Sequence, residues 1–274
     1  VNSGKTLTAF VVVLVVSFAV MSVLPDDGLS RACLQEALLA AVAIGAVAFA
    51  CPRAIRRIRC TNSVQHGMAV GVAVVFAGVL GGVITLAAWG FADFAFAGSL
   101  VGEAFPSVGI FAQRLVLLLV VCALTGAFEE AFMRVLAIEA FESLLGAGGE
   151  GADWAVKRAV LLSAVLFALL HVGAPDAAAS ATVILQMLVK FGQAFLFGLV
   201  MGVLYARSRS LWPCAVAHAG FDALYLGPGV VLTGVLPTTY ASGLPIDTAL
   251  LCATTALLAI VAVATWKSWA KGLV

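Results

Sequence analysis

The sequence predicts an all-α integral membrane protein: about eight transmembrane helices in one bundle, with a cavity that faces the cytoplasm. Three observations predict it. The 274 residues are 63% hydrophobic and only 11% charged, with a mean hydropathy of +1.14, whereas soluble domains carry about 25% charged residues. The apolar residues form continuous runs with no ten-residue alternation, which selects helices over a β-barrel. The basic residues gather in every second loop.

The runs place spans near residues 6–24, 33–51, 67–90, 109–141, 158–175, 181–205, 212–233 and 247–266, a length that about 20 apolar residues per crossing requires. The first follows Lys5. It is too long for the core of a signal peptide and no A-x-A site follows, so it reads as a span. The fourth exceeds an upright crossing and must tilt, kink or leave the bilayer. No polar linker divides the chain, so residues 1–274 read as a single polytopic membrane domain. Gly198 and Gly202 form a G-x-x-x-G on the sixth span, where small residues admit a close helix neighbour. Arg114 and Lys190 lie near span ends, and snorkelling accounts for them.

Loop charges then set the orientation. Lys5, Arg53, Arg56, Arg57, Arg59, Lys157, Arg158, Arg207, Arg209, Lys267 and Lys271 all fall on one side, eleven of the 15 basic residues. The opposite loops hold Asp26, Asp27, Asp93, Glu103 and Asp176, with Arg31 their only base. The positive-inside rule puts both termini in the cytoplasm. The Ala- and Arg-rich composition, with Val1 where methionine is expected, is that of a GC-rich prokaryote using a GTG start, so the expected location is a bacterial inner (plasma) membrane. A net charge of +1 offers no field for nucleic acid. The partners expected are the lipid bilayer and a peptide or protein substrate. Cys33, Cys51, Cys60, Cys122, Cys214 and Cys252 are scattered with no C-x-x-C pair, so neither a disulfide framework nor a zinc knuckle is expected.

Charge deep within a span is costly and by default marks a function. Three places have it. Glu129 and Glu130 precede Arg134 in the fourth span. Glu130 and Arg134, four apart with the acid first, suit a side-chain pair; Glu129, rotated about 100° away on an α-helix, is left for chemistry. His171 lies late in the fifth span, and His218 and Asp222 share a face early in the seventh. The remaining histidine, His66, sits in the basic loop and reads as solvated. Counted from the cytoplasmic helix ends, Glu129 and His171 lie ~20 Å deep and His218 ~10 Å, compatible with one cavity open to that side. Such a set supports three readings. A glutamate polarised by histidine takes a proton from water that attacks a carbonyl; Glu129, His171 and His218 ligate a divalent metal such as zinc; or the groups relay protons or cations in a transporter.

E-E-x-x-x-R at Glu129–Arg134, F-x-x-x-H at Phe167–His171 and H-x-x-x-D at His218–Asp222, each on its own span, resemble the CAAX protease and bacteriocin-processing family, that of the Ras-converting CAAX endopeptidase. The stretch from Tyr205 to Pro213 resembles the family's approach to its last motif. The resemblance covers about residues 110–225. It implies an eight-helix fold and an intramembrane endopeptidase acting on a membrane-associated peptide or protein. By position, Glu129 is the general base, His171 helps to activate the water, and His218 and Asp222 lie near the substrate carbonyl oxygen. Glu130, Arg134 and Phe167 brace the site. Family members are described both as metal-dependent and as metal-free. The metal-free form with no cofactor is preferred here; in the other, Glu129, His171 and His218 hold zinc. Relatives of the eukaryotic enzyme carry asparagine where Asp222 stands, and an ionised aspartate cannot donate to an oxyanion. The rivals are an inactive peptide-binding scaffold or immunity protein, which would be free to lose these residues, and a transporter, which would show inverted repeats.

Overall fold

In hydrocarbon, every backbone N–H must find a carbonyl within its own segment, so apolar runs coil into helices. The computed structural model describes residues 3–24, 28–56, 62–95, 106–146, 151–173, 179–236 and 241–270, with the backbone alone at 62–69, 88–95 and 152. The helices are α1 (Ser3–Val23), α2 (Leu29–Ala50), α3 (Pro52–Arg56), α4 (Asn62–Ala95), α5 (Val108–Glu129), a π-helical segment (Glu130–Ala137), α6 (Ile138–Gly146), α7 (Ala152–Leu170), α8 (Ala181–Ser208), α9 (Leu211–Thr233) and α10 (Pro245–Ala270). No strand occurs among the described residues. This is an all-α, multi-pass membrane protein. Seven helices are long and apolar enough to cross a bilayer, α5 through α6 counting as one of 39 residues. The expected eighth, α7, carries Asp153, Lys157 and Arg158 in its first turns. Lys157 pairs there with Asp153 at 2.6 Å.

Between membrane helices there is little hydrophobic drive, so close approach at small residues positions them. Helix α9 packs between α4 and α5, and α8 between α7 and α10. A Cβ on Gly126 would lie 2.7 Å from the Ala215 carbonyl oxygen and 3.0 Å from the Ala219 nitrogen, so α5 reaches α9 backbone to backbone. The expected close neighbour of Gly198 and Gly202 is α7: added methyl groups would meet Ala164 Cα at 3.1 Å and Val160 Cγ1 at 2.7 Å. Helix α1 stacks Phe10 on Phe132 at 5.3 Å between ring centroids.

The long fourth span neither stays α-helical nor needs a proline to adjust. All eight residues of its π segment are buried. A π turn widens the helix and is frequently found at functional sites. Ser163 of α7 donates to the Met133 carbonyl at 2.6 Å, satisfying the loosened ladder from outside.

Two arginines tie helix ends to their neighbours. Arg114 does not snorkel. Its Nη1 donates to the Val231 and Leu232 carbonyls at 3.2 and 2.5 Å, capping the free acceptors at the end of α9. Gly234 ends that helix at φ 77°, and a Cβ would also press on the Arg114 guanidinium. Arg209, counted as a loop charge, donates to Glu139 at 2.9 Å and to Glu142 at 2.7 Å, tying the α8–α9 turn to α6. Tyr205 completes the clamp through its hydroxyl, 2.8 Å from Glu139. The five described cysteines are free. Cys60, Asp26, Asp27, Arg57, Arg59, Glu103, Asp176 and Lys271 lie outside the described residues, as do the side chains of His66 and Asp93.

Gly126→Val should lower stability by ~1–3 kcal/mol, the cost of overpacking a close contact. Thermal unfolding in detergent measures it, and an unchanged midpoint would contradict the α5–α9 approach.

Candidate active site

Two consecutive acids can serve different neighbours only if the helix turns them apart. Glu129 ends α5 and Glu130 opens the π segment. Glu130 is wholly buried against Arg134, with Oε2 3.2 Å from Nε. Its other oxygen accepts a 2.8 Å hydrogen bond from His218 Nδ1. So Glu130 does more than brace Arg134: it also orients the imidazole of α9. The alternative orienter, Asp222, instead faces the other ring nitrogen, Nε2, at 3.4 Å.

Phe167 joins the same assembly. The Arg134 guanidinium carbon lies 4.3 Å from its ring centroid, within cation–π range, and the His171 ring lies 4.1 Å from it. His171 stands not within the span but just past Leu170, as the residue that caps α7. Its Nδ1 donates to the Phe167 carbonyl at 2.8 Å. That bond leaves Nε2 facing inward, since a neutral imidazole has one donor and one acceptor nitrogen. Phe197 adds an edge contact to His218 at 4.8 Å.

Glu129 is where these lines meet. Its Oε2 lies 3.8 Å from His171 Nε2 and 3.6 Å from His218 Nε2, is buried, and has no hydrogen-bond partner. A carboxylate oxygen in that state lacks a donor, and gaps of that size admit a water. Glu129, His171, His218 and Asp222 all line one cavity of about 460 Å³. The structure thus brings together the four candidate residues, with Glu130, Arg134 and Phe167 behind them.

Two charged groups missed in the sequence line the same cavity. Glu36 of α2 stands beside the Thr125 hydroxyl and within electrostatic reach of Glu129 and Asp222. Lys190 of α8 does not snorkel; it lines the cavity and donates to Gln193 at 3.1 Å. Gln193 in turn donates to Tyr225 at 3.3 Å and Thr254 at 2.5 Å. The signal was there, a carboxylate and an ammonium in apolar runs, but both sat near estimated span ends.

Two histidines and a carboxylate are donor types that suit zinc. Among the described residues, however, no three His, Cys, Asp or Glu side chains are arranged to hold a metal ion.

Residues 111–224 match a family described as type II CAAX prenyl endopeptidase, Rce1-like. No curated protein matches the chain. The matched stretch runs from α5 into α9 and holds all three motifs; α1, α2, α4 and α10 lie outside it. Over this segment the chain is similar to the Rce1-like CAAX prenyl endopeptidases, the family that its three motifs resemble.

Proposed function

We propose that this protein hydrolyses a peptide bond of a membrane-associated peptide or protein with a water activated by Glu129, and without a metal. The observation that carries the reading is the unbonded Glu129 Oε2, facing Nε2 of both His171 and His218 inside the cavity. A general base must lie within hydrogen-bond reach of the proton that it removes, directly or through one water.

A water held by Glu129 Oε2 and His171 Nε2 gives a proton to Glu129, and its oxygen adds to the substrate carbonyl carbon. The developing oxyanion is met by His218 Nε2–H, while Nδ1–H stays bonded to Glu130. Asp222 lies against that same nitrogen and acts by holding His218 in place. As the C–N bond breaks, Glu129 returns its proton to the leaving amine. Fixed donors aimed at developing charge work best where water is excluded, and the apolar wall of Phe128, Phe132 and Phe221 supplies that exclusion. The whole chain acts as a single membrane domain, with both termini and the cavity mouth on the cytoplasmic side of a bacterial plasma membrane.

Cleavage of a peptide library by the purified protein tests this. Glu129→Gln should lower kcat by ~10²–10⁴-fold, the usual worth of general-base catalysis, and a chelator should leave the rate unchanged. Full activity in Glu129→Gln would end the mechanism; chelator inhibition reversed by zinc would replace it with the metal one.

Asp222→Asn should retain activity within about an order of magnitude, because asparagine can still hold His218 and can also donate to the oxyanion. A loss as deep as that of Glu129→Gln, in a protein of unchanged thermal stability, would assign Asp222 a charge-dependent role.

Glu130→Gln should cost ~3–5 kcal/mol of stability by leaving Arg134 buried without its counter-charge. Adding Arg134→Met should recover part of that cost, read as the unfolding midpoint in detergent.

A further inference from the structure

Of the charged groups in the cavity, Glu36 has no part in the reaction above. It lies on α2, outside the segment that matches the family. Its Oε2 is buried and unbonded, the same condition that marks Glu129. Packing does not account for a carboxylate kept there, since an isosteric amide or an apolar side chain would fill α2 at no electrostatic cost.

The charge around the cavity is also unbalanced. Among the described residues its wall carries the carboxylates of Glu36, Glu129 and Asp222, against the ammonium of Lys190 and the doubly protonated imidazole of His218. Arg134 does not offset them, because it lies behind the wall against Glu130. Lys190 lies within electrostatic reach of Asp222 and Glu129 and donates to Gln193 on its own helix. Glu36 stands with Glu129 and Asp222 at the acidic end of the cavity. A cleft lined by one sign of charge between low-dielectric walls concentrates partners of the other sign.

We propose that Glu36 is a specificity-determining residue that receives a cationic side chain, lysine or arginine, of the peptide substrate. This rests on the cavity being the peptide site. The Thr125 hydroxyl beside Glu36 steadies the carboxyl group, and its unbonded oxygen accepts the incoming N–H. The charge-assisted bond forms in the cavity, where competing water is scarce. The acidic end so satisfied fixes which way the peptide lies past Glu129.

The test uses full-length protein and matched peptides that differ only in lysine, glutamine or glutamate at one position, scanned along the peptide. At one position the wild type should favour lysine over glutamate in kcat/KM by ~10–100-fold, the range that a charge-assisted hydrogen bond supplies. Glu36→Gln should erase most of that ratio. Binding of the same peptides to His171→Ala, which retains all three carboxylates, gives a readout independent of turnover. Cleavage with no charge preference, or a preference that Glu36→Gln leaves intact, would overturn the assignment and leave the hydrolytic mechanism standing. No cleavage by wild type, with a lysine preference in binding that Glu36→Gln abolishes, would keep the assignment and remove the mechanism.

Discussion

The buried ion pair between Glu130 and Arg134 is the constraint on which the rest of the site depends. Both side chains are fully shielded from solvent, so neither charge can be left alone without a large cost. Each is committed twice. Glu130 also holds His218 of α9, and Arg134 also lies over Phe167 of α7. One pair thereby fixes the rotation of three helices about their own axes. Lipid contact alone gives a helix no preferred rotation, because one apolar face is as good as another. Here the polar contacts choose it, and the same choice turns Glu129, His171 and His218 into one cavity.

The π segment is the local device that permits this. Its eight residues are buried on every side, so it meets no lipid and its widened ladder is completed by protein. Ser163 makes one such contact at the Met133 carbonyl. With the helix opened at Glu130, that acid faces the interior pair while Glu129, the last residue of α5, faces the cavity. Gly126, one turn earlier, lets α9 come near enough for His218 to reach both acids.

The parts of this design that rest on energetic anomaly were legible in the sequence. Charge in an apolar run is costly wherever it occurs, so Glu129, Glu130, Arg134, His171, His218 and Asp222 announced themselves without coordinates. The parts that rest on exact helix limits were not. The second span, placed from residue 33, puts residue 36 in its first turn; the helix in fact starts at Leu29, which moves Glu36 inward. Lys190 and Arg114 were misjudged although their helix starts were placed to within a residue. What they bond, Gln193 and the α9 carbonyls, depends on side-chain direction and on a neighbouring helix. The π segment was hidden because its hydrophobic pattern is continuous, and a continuous pattern has no period that distinguishes 3.6 residues per turn from a wider coil. The charge count in α7 shows the opposite limit: a helix of sufficient length carries enough polar residues in its first turns to fall short of a simple apolar crossing.

The division between chemistry and recognition follows from where the cavity wall comes from. The proposed acid–base groups Glu129, His171 and His218 lie within the matched segment, with His218 held by Glu130 and His171 by the Phe167 carbonyl. Leu14, Ser17 and Phe18 of α1, Glu36 of α2 and Tyr225 beyond the match complete the wall. None of these bonds to Glu130 or Arg134 in the way that His218 does. In the proposed mechanism the matched segment would hold the water, and the wall from α1 and α2 would face the peptide. Substrate preference is therefore to be sought on α1 and α2, in residues that the three motifs do not contain.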